Sequence, residues 1–250
     1  MTADHGHPDH GNASHGNASH GNGGLGSELH RLEPAWRRLT AGEERWPAAL
    51  GVVIMIALQL GLPSSLTPSG HHLLPFIELI LLVILIVENP RKISRRSRPA
   101  RAVGLMLIAL ATMFNGWSVV RLIQGLLGGH GYEDPARLLA IGANIWLTNV
   151  IVFAVWSWEF DRGGPGARAL GTDPEPDFLF PQMTTPDIGL QHWEPEFVDY
   201  AYVSFTNATA FSPTDTLPLS RWAKLAMMVQ SAISLVTATL VIARAVNILH

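Results

Sequence analysis

The sequence predicts an all-α fold: a polytopic membrane helix bundle of about five spans, with a short re-entrant or interfacial helix before the last span. Three observations carry that prediction. Charged residues make up 15% of the 250-residue chain and hydrophobic ones 48%, where a soluble domain carries about 25% charged. Five apolar segments reach or approach the roughly 20 residues that a bilayer crossing needs. Basic residues are concentrated, since six of the seventeen lie between Arg91 and Arg101.

Residues 1–26 read MTADHGHPDHGNASHGNASHGNGGLG, in which HGNAS repeats with almost no apolar residue. Such a segment buries too little surface to offset its ordering entropy, so a disordered tail is expected. It lacks the basic and apolar regions of a signal peptide, so the first internal span directs insertion. His5, His7, His10, His15 and His20 lie beside Asp4 and Asp9. Neutral imidazole suits zinc, copper and nickel, so weak binding of these metals is the one cofactor chemistry expected; a solvating tail without metal is the plainer reading. Residues 27–46 form an interfacial cytoplasmic segment, with Trp36 and Trp46 as anchors at the membrane surface.

Residues 47–158 hold four spans: Pro47 to Leu62, His71 to Val87, Ala102 to Leu127 and Pro135 to Trp158. The links LPSSLTPSG and GGHGYED are rich in turn residues and close two antiparallel hairpins. The connector NPRKISRRSRPAR is strongly basic, and Arg31, Arg37, Arg38 and Arg45 precede the first span. By the positive-inside rule both face the cytoplasm, which puts the N-terminus inside and the C-terminus outside an inner (plasma) membrane. Residues 159–196 form a loop rich in proline, glycine and acid, pinned to the bundle by Phe178, Leu179 and Phe180. From Glu159 to Ser220 there are ten acidic residues and only two basic ones, Arg162 and Arg168.

Ionisable residues at membrane depth are costly and face other helices or a wet cavity. Glu78 lies about 10 Å into the second span at 1.5 Å per residue. Arg121, Asn144 and Arg244 fall at a matching depth once the spans alternate in direction, so a Glu78 to Arg121 ion pair with Asn144 and Arg244 nearby is expected. The cluster serves either to fix helix register or to line a polar cavity. Asn149, Gln230, Ser231, Ser234 and Asn247 are expected to join helices by hydrogen bonds.

Residues 197–250 combine a polar stretch with the last span, Trp222 to Leu249. Asp199 to Ala210 reads as a short helix capped by Asp199, and FSPTD follows as a turn stopped by Pro213. A short amphipathic helix, a hydroxyl-rich turn and a full span is the layout of a re-entrant pore loop. YVSFTNATAFSPTD followed by a helix ending LVIARAVNIL resembles the pore helix, filter and inner helix of two-span potassium channels. Thr209 and Asp215 match the filter, whereas both filter glycines are replaced. Because that filter coordinates the ion with backbone carbonyls at angles that Ser212 and Thr214 resist and Pro213 cannot adopt, potassium selectivity is not expected.

A resemblance covering residues 47–250 is to a bacterial membrane family known as domain of unknown function 1345. Asp199, Tyr202, Ser204, Phe205, Thr206, Thr214, Asp215, Arg221, Lys224, Ala245, Val246 and Asn247 carry it. The family implies the span layout and no established activity. The expected function is therefore channel-like or transport-related with an undefined substrate, carried by Thr206, Thr209, Ser212, Thr214 and Asp215 and by the Glu78 cluster. The alternatives are a non-transporting scaffold or assembly partner and a metal-handling role for the tail. The expected partner is the lipid bilayer; a homo-oligomer suits the pore-like reading, and nucleic acid is not expected. The chain has no cysteine, hence no disulfide or thiolate metal site. It carries no H-x-x-x-H, G-x-S-x-G or P-loop pattern, so an enzyme is not expected.

Overall fold

The computed structural model describes residues 2, 35–37, 39–68, 72–88, 92–93, 98–128, 134–172, 175–185, 193–209 and 215–249. The chain divides into two units, Met1–Glu33 and Pro34–His250, and the description below concerns the second. The tail histidines His5, His7, His10, His15 and His20 lie outside the described residues, as do Ser212, Thr214 and most of the basic connector.

Among the described residues of the second unit there are eight α-helices: α1 (Trp46–Leu60), α2 (Leu73–Glu88), α3 (Arg98–Leu127), α4 (Pro135–Phe160), α5 (Pro165–Ala169), α6 (Pro181–Thr184), α7 (Phe197–Thr209) and α8 (Arg221–Leu249). Four two-residue strands form two antiparallel ladders, β1 (Glu43–Glu44) with β2 (Lys92–Ile93) and β3 (Phe178–Leu179) with β4 (Leu217–Pro218). The stretches Arg98–Leu127, Pro135–Ala169 and Arg221–Leu249 are long and apolar enough to cross a membrane. α1 and α2 are apolar but shorter, with 15 and 16 residues.

Local chemistry sets the helix ends. Asp134 caps α4, its Oδ1 accepting the Ala136 N–H at 2.9 Å, and Pro135 takes the first helical position where no N–H is needed. α7 begins two residues earlier than expected, at Phe197, and Asp199 is not its cap. From inside the first turn, Asp199 Oδ2 reaches back to accept the Glu196 N–H at 2.8 Å, the acidic half of a capping box. Burial holds that carboxyl above the usual carboxylate range, against the lowering effect of the Glu196 N–H.

α4 is the central post and packs against α1, α3, α7 and α8. Gly142 is what admits α8, since a Cβ there would lie 2.7 Å from Val241 Cγ1. α3 and α4 run antiparallel, as do α4 and α8: Asn115 meets Asn149 and Thr112 meets Trp156 across the first pair, while Asn149 meets Ser234 and Gly142 meets Val241 across the second. The β1–β2 ladder, the Thr40 N–H bonded to the Ala169 carbonyl and the Trp222 indole bonded to Asp177 gather four segments at one end of the bundle. These are the stretch before α1, the α2–α3 connector, the loop after α4 and the start of α8.

Two apolar clusters fill the interior. One lies toward that end, around Met55, Leu82, Ile108, Val155 and Tyr200. The other lies toward the opposite end, around Leu62, Leu66, Phe114, Leu122 and Ile145. The outer faces are apolar as well: Phe76, Ile80, Val83 and Ile84 of α2 and Leu225, Met228, Leu235 and Ile242 of α8 are exposed. Gln59, Glu78, Asn115, Asn149, Gln230, Ser234 and Thr237 are buried instead. Polar groups inside and large apolar side chains outside is the distribution a lipid solvent favours.

Candidate functional site

α7 descends beside α4 from the end where α4 stops. Its first residue, Phe197, packs edge-on against Trp158 and fills the space left by Gly51, where a Cβ would sit 2.9 Å from the Phe197 ring. Deeper, the Ser204 hydroxyl donates to the Val150 carbonyl at 2.6 Å, and Phe205 meets Trp146 edge-on at 5.6 Å. Asn207 reaches α8, donating to Gln230 Oε1 at 2.8 Å and to the Met227 carbonyl at 3.0 Å, and it accepts from Ser231 at 3.0 Å. By Leu217–Pro218 the chain is back at the starting level, paired with Phe178–Leu179. α7 thus goes in, and the chain leaves by the same end.

A buried polar chain holds α7 in place. Gln230 Nε2 donates to the Ser204 carbonyl at 2.9 Å and to its hydroxyl at 2.6 Å. Asn149 Nδ2 donates to the Ser234 hydroxyl at 3.1 Å, and Asn149 Oδ1 accepts from Asn115 Nδ2 at 3.1 Å. The chain therefore runs from α3 through α4 and α8 to α7. Asn149, Gln230, Ser231 and Ser234 were legible as helix-joining residues. Asn115, Ser204 and Asn207 were not, and their one signal is a lone amide or hydroxyl within an apolar or aromatic run.

The described hydroxyls of the pore-like segment, Thr206 and Thr209, face their own backbone. Thr206 donates to the Tyr202 carbonyl and Thr209 to the Thr206 carbonyl, both at 2.8 Å. Asp215 is exposed just before β4.

The expected intramembrane cluster is only partly assembled. Glu78 accepts from Gln59 Nε2 at 3.5 Å, whereas the exposed Arg121 donates to the Ser65 carbonyl at 3.3 Å. Asn144 donates to the Leu58 carbonyl at 3.0 Å. Glu78, Arg121 and Asn144 therefore gather around the end of α1 and the turn after it, as depth matching requires, but no Glu78 to Arg121 ion pair forms. Arg121 points outward to a turn carbonyl, and Gln59 is the donor that faces Glu78 across the α1–α2 hairpin. Arg244 precedes Ala245, which packs in the apolar cluster of the same end.

At the opposite end, an ionic cap closes over the mouth of α7. Glu43 Oε1 accepts from Arg168 Nε at 2.6 Å and Oε2 accepts from the Trp158 indole at 2.7 Å. Arg168 also donates to the Trp158 and Asp161 carbonyls at 2.7 and 2.9 Å. Asp161 accepts from the Tyr200 hydroxyl at 2.6 Å and from the backbone of Asp177 at 2.8 Å. Arg162, in the left-handed region at φ 50°, donates to the Trp36 carbonyl and stacks near its ring. Trp36 is 6% exposed and so belongs to this cap rather than to the membrane surface as expected, while Trp46 is exposed. The sequence signal for the cap was the pair of lone cations, Arg162 and Arg168, in an otherwise acidic loop.

Among the described residues no group of three or more His, Cys, Asp or Glu is arranged to hold a metal. No family model, curated protein or solved structure matches the chain.

Proposed function

We propose that the protein is a five-span integral membrane protein of channel-like or transport-related type, in which α7 is a re-entrant helix. The path of the chain around α7 supports this reading. Thirteen residues extend about 20 Å, roughly two-thirds of a ~30 Å hydrocarbon core. Backbone that leaves a helix at such depth is tolerated only where protein buries it or a wet cavity meets it. α1 and α2 supply the two remaining crossings. At about 22 and 24 Å they are short, and local bilayer thinning accommodates them.

The basic connector faces the cytoplasm on this reading, and the mouth of α7 shares its side. The transported species is undefined, and the glycine-free TAFSPTD stretch argues against potassium selectivity. The protein resides in the inner (plasma) membrane with its N-terminus inside.

Purified full-length chain reconstituted in liposomes tests the transport reading by dye-reported flux of protons, sodium and potassium. Flux above protein-free vesicles that falls when Asn207→Ala loosens α7 supports it. Flux equal to protein-free vesicles for every ion overturns it. A second reading, a non-transporting scaffold, is favoured by one observation: Asn207, Gln230 and Ser204 direct their hydrogen bonds to one another and to nearby carbonyls. Metal titration of the whole chain against one lacking residues 1–26 tests the tail, and equal binding by the two ends the metal-handling idea.

A further inference from the structure

Glu78 and Gln59 are both 0% exposed, one on α2 and the other on α1. One hydrogen bond joins them, Gln59 Nε2 to Glu78 Oε1 at 3.5 Å. The side-chain atom of each that this bond leaves over, Glu78 Oε2 and Gln59 Oε1, is buried without a donor. The hydrogen bond thus leaves a bare acceptor on each of the two groups it joins. A proton on Oε2 would remove both defects by donating to Gln59 Oε1, closing a two-bond ring of the kind a carboxylic acid and a primary amide form.

Among the described residues the surroundings offer no other compensation. α1 carries no titratable side chain between Trp46 and Leu60. On α2 itself, His72 precedes the helix and is exposed, and Glu88 lies at its far end. On α3, Arg98 and Arg101 sit at the opposite end, where Arg101 bonds the Gly163 carbonyl, and Arg121 turns out to Ser65. Among the described residues no basic group lies within ion-pair distance of the Glu78 carboxyl. A bare carboxylate in such a place costs far more than a neutral acid that donates a hydrogen bond.

We propose that Glu78 is a proton-binding site: it holds a proton on Oε2, shared with Gln59 Oε1, and gives it up only when α1 and α2 part. A proton suits the pair better than a metal cation, because a hard cation gathers about six oxygens and the pair offers three. A sodium ion is the competing occupant and would draw in Asn144 Oδ1, which also lacks a donor. The site needs nothing from α7 and stands apart from the transport reading.

Infrared difference spectra of the full-length protein in lipid at neutral pH test it. The expected wild-type minus Glu78→Gln spectrum shows the carbonyl band of a protonated acid, which shifts in heavy water. Gln59→Leu, which deletes the acceptor, keeps that band and moves it to higher frequency as the hydrogen bond is lost. Carboxylate bands in place of the acid band overturn the proposal, as does conversion of the acid band to carboxylate on adding sodium. The readout needs no flux, so its failure and the failure of the transport reading are separate results.

Discussion

Removing the Arg168 side chain as Arg168→Met should destabilise the folded protein by about 4 kcal/mol. Arg168 and Glu43 are 3% and 4% exposed in their side chains and meet at 2.6 Å, so the substitution leaves a carboxylate buried with, among the described residues, only the Trp158 indole as donor. Breaking one partner of a buried pair typically costs about 3–5 kcal/mol. Two carbonyls, of Trp158 and Asp161, lose their guanidinium donor at the same time. In Glu43→Gln/Arg168→Met the bare charge is gone; the Asp161 carbonyl keeps the Gly164 N–H at 2.9 Å, so chiefly the Trp158 carbonyl remains undonated, at about 1 kcal/mol at the low end. The double variant should therefore be more stable than the two single losses predict, by about 2–3 kcal/mol. Equilibrium unfolding in mixed micelles, followed by tryptophan fluorescence, reports this directly because Trp158 lies in the cap. A single-variant loss below ~1 kcal/mol, or strict additivity in the cycle, refutes the cap as a paired ionic unit.

Gly142→Ala places a methyl against Val241 and should cost about 1–3 kcal/mol in the same unfolding assay, with recovery in Gly142→Ala/Val241→Ala. Gln230→Leu removes two donations to Ser204 and the acceptor for Asn207; at about 0.6–2 kcal/mol per intramembrane hydrogen bond, a loss of roughly 2–4 kcal/mol is expected, with faster proteolysis of the 197–220 stretch. The chain has no cysteine, so single cysteines can be placed on an unaltered background. Gly42→Cys and Ser220→Cys should react with an impermeant maleimide from one side of the membrane and Ser64→Cys from the other; labelling of all three from the same side contradicts the five-span reading.

Helix placement was legible because hydropathy and turn chemistry act locally. The expected spans differ from α1 to α4 and α8 by four residues at most, the largest gap being the start of α3 at Arg98 rather than Ala102. A span must bond its own backbone in lipid, which leaves helix as the only local answer. Which side chains meet was less legible. Antiparallel counting fixes how deep Glu78, Arg121 and Asn144 lie, but not the direction each takes around its helix, where one residue is about 100°. Thus depth predicted the neighbourhood and direction chose Gln59 over Arg121. The Glu43–Arg168 pair was out of reach for another reason: 125 residues separate its partners, and they meet only after the loop has folded back over the bundle.

That fold-back also reaches α7. The loop residues that complete the cap also cover the start of the inserted helix: Phe178 and Phe180 stack edge-on with Tyr200, and Tyr200 donates to Asp161. Asp177 joins the same loop to α8 through Trp222, next to the returning β4 strand. A path along α7 from that end therefore has to move side chains that buried charge-assisted bonds hold. In the transport reading the cap is then the barrier, and Tyr200→Phe, which spares the ring stacking and deletes the bond to Asp161, should raise flux rather than lower it. In the scaffold reading the same variant changes stability by about 1–3 kcal/mol and nothing else. Flux and unfolding measured on this one variant separate the two.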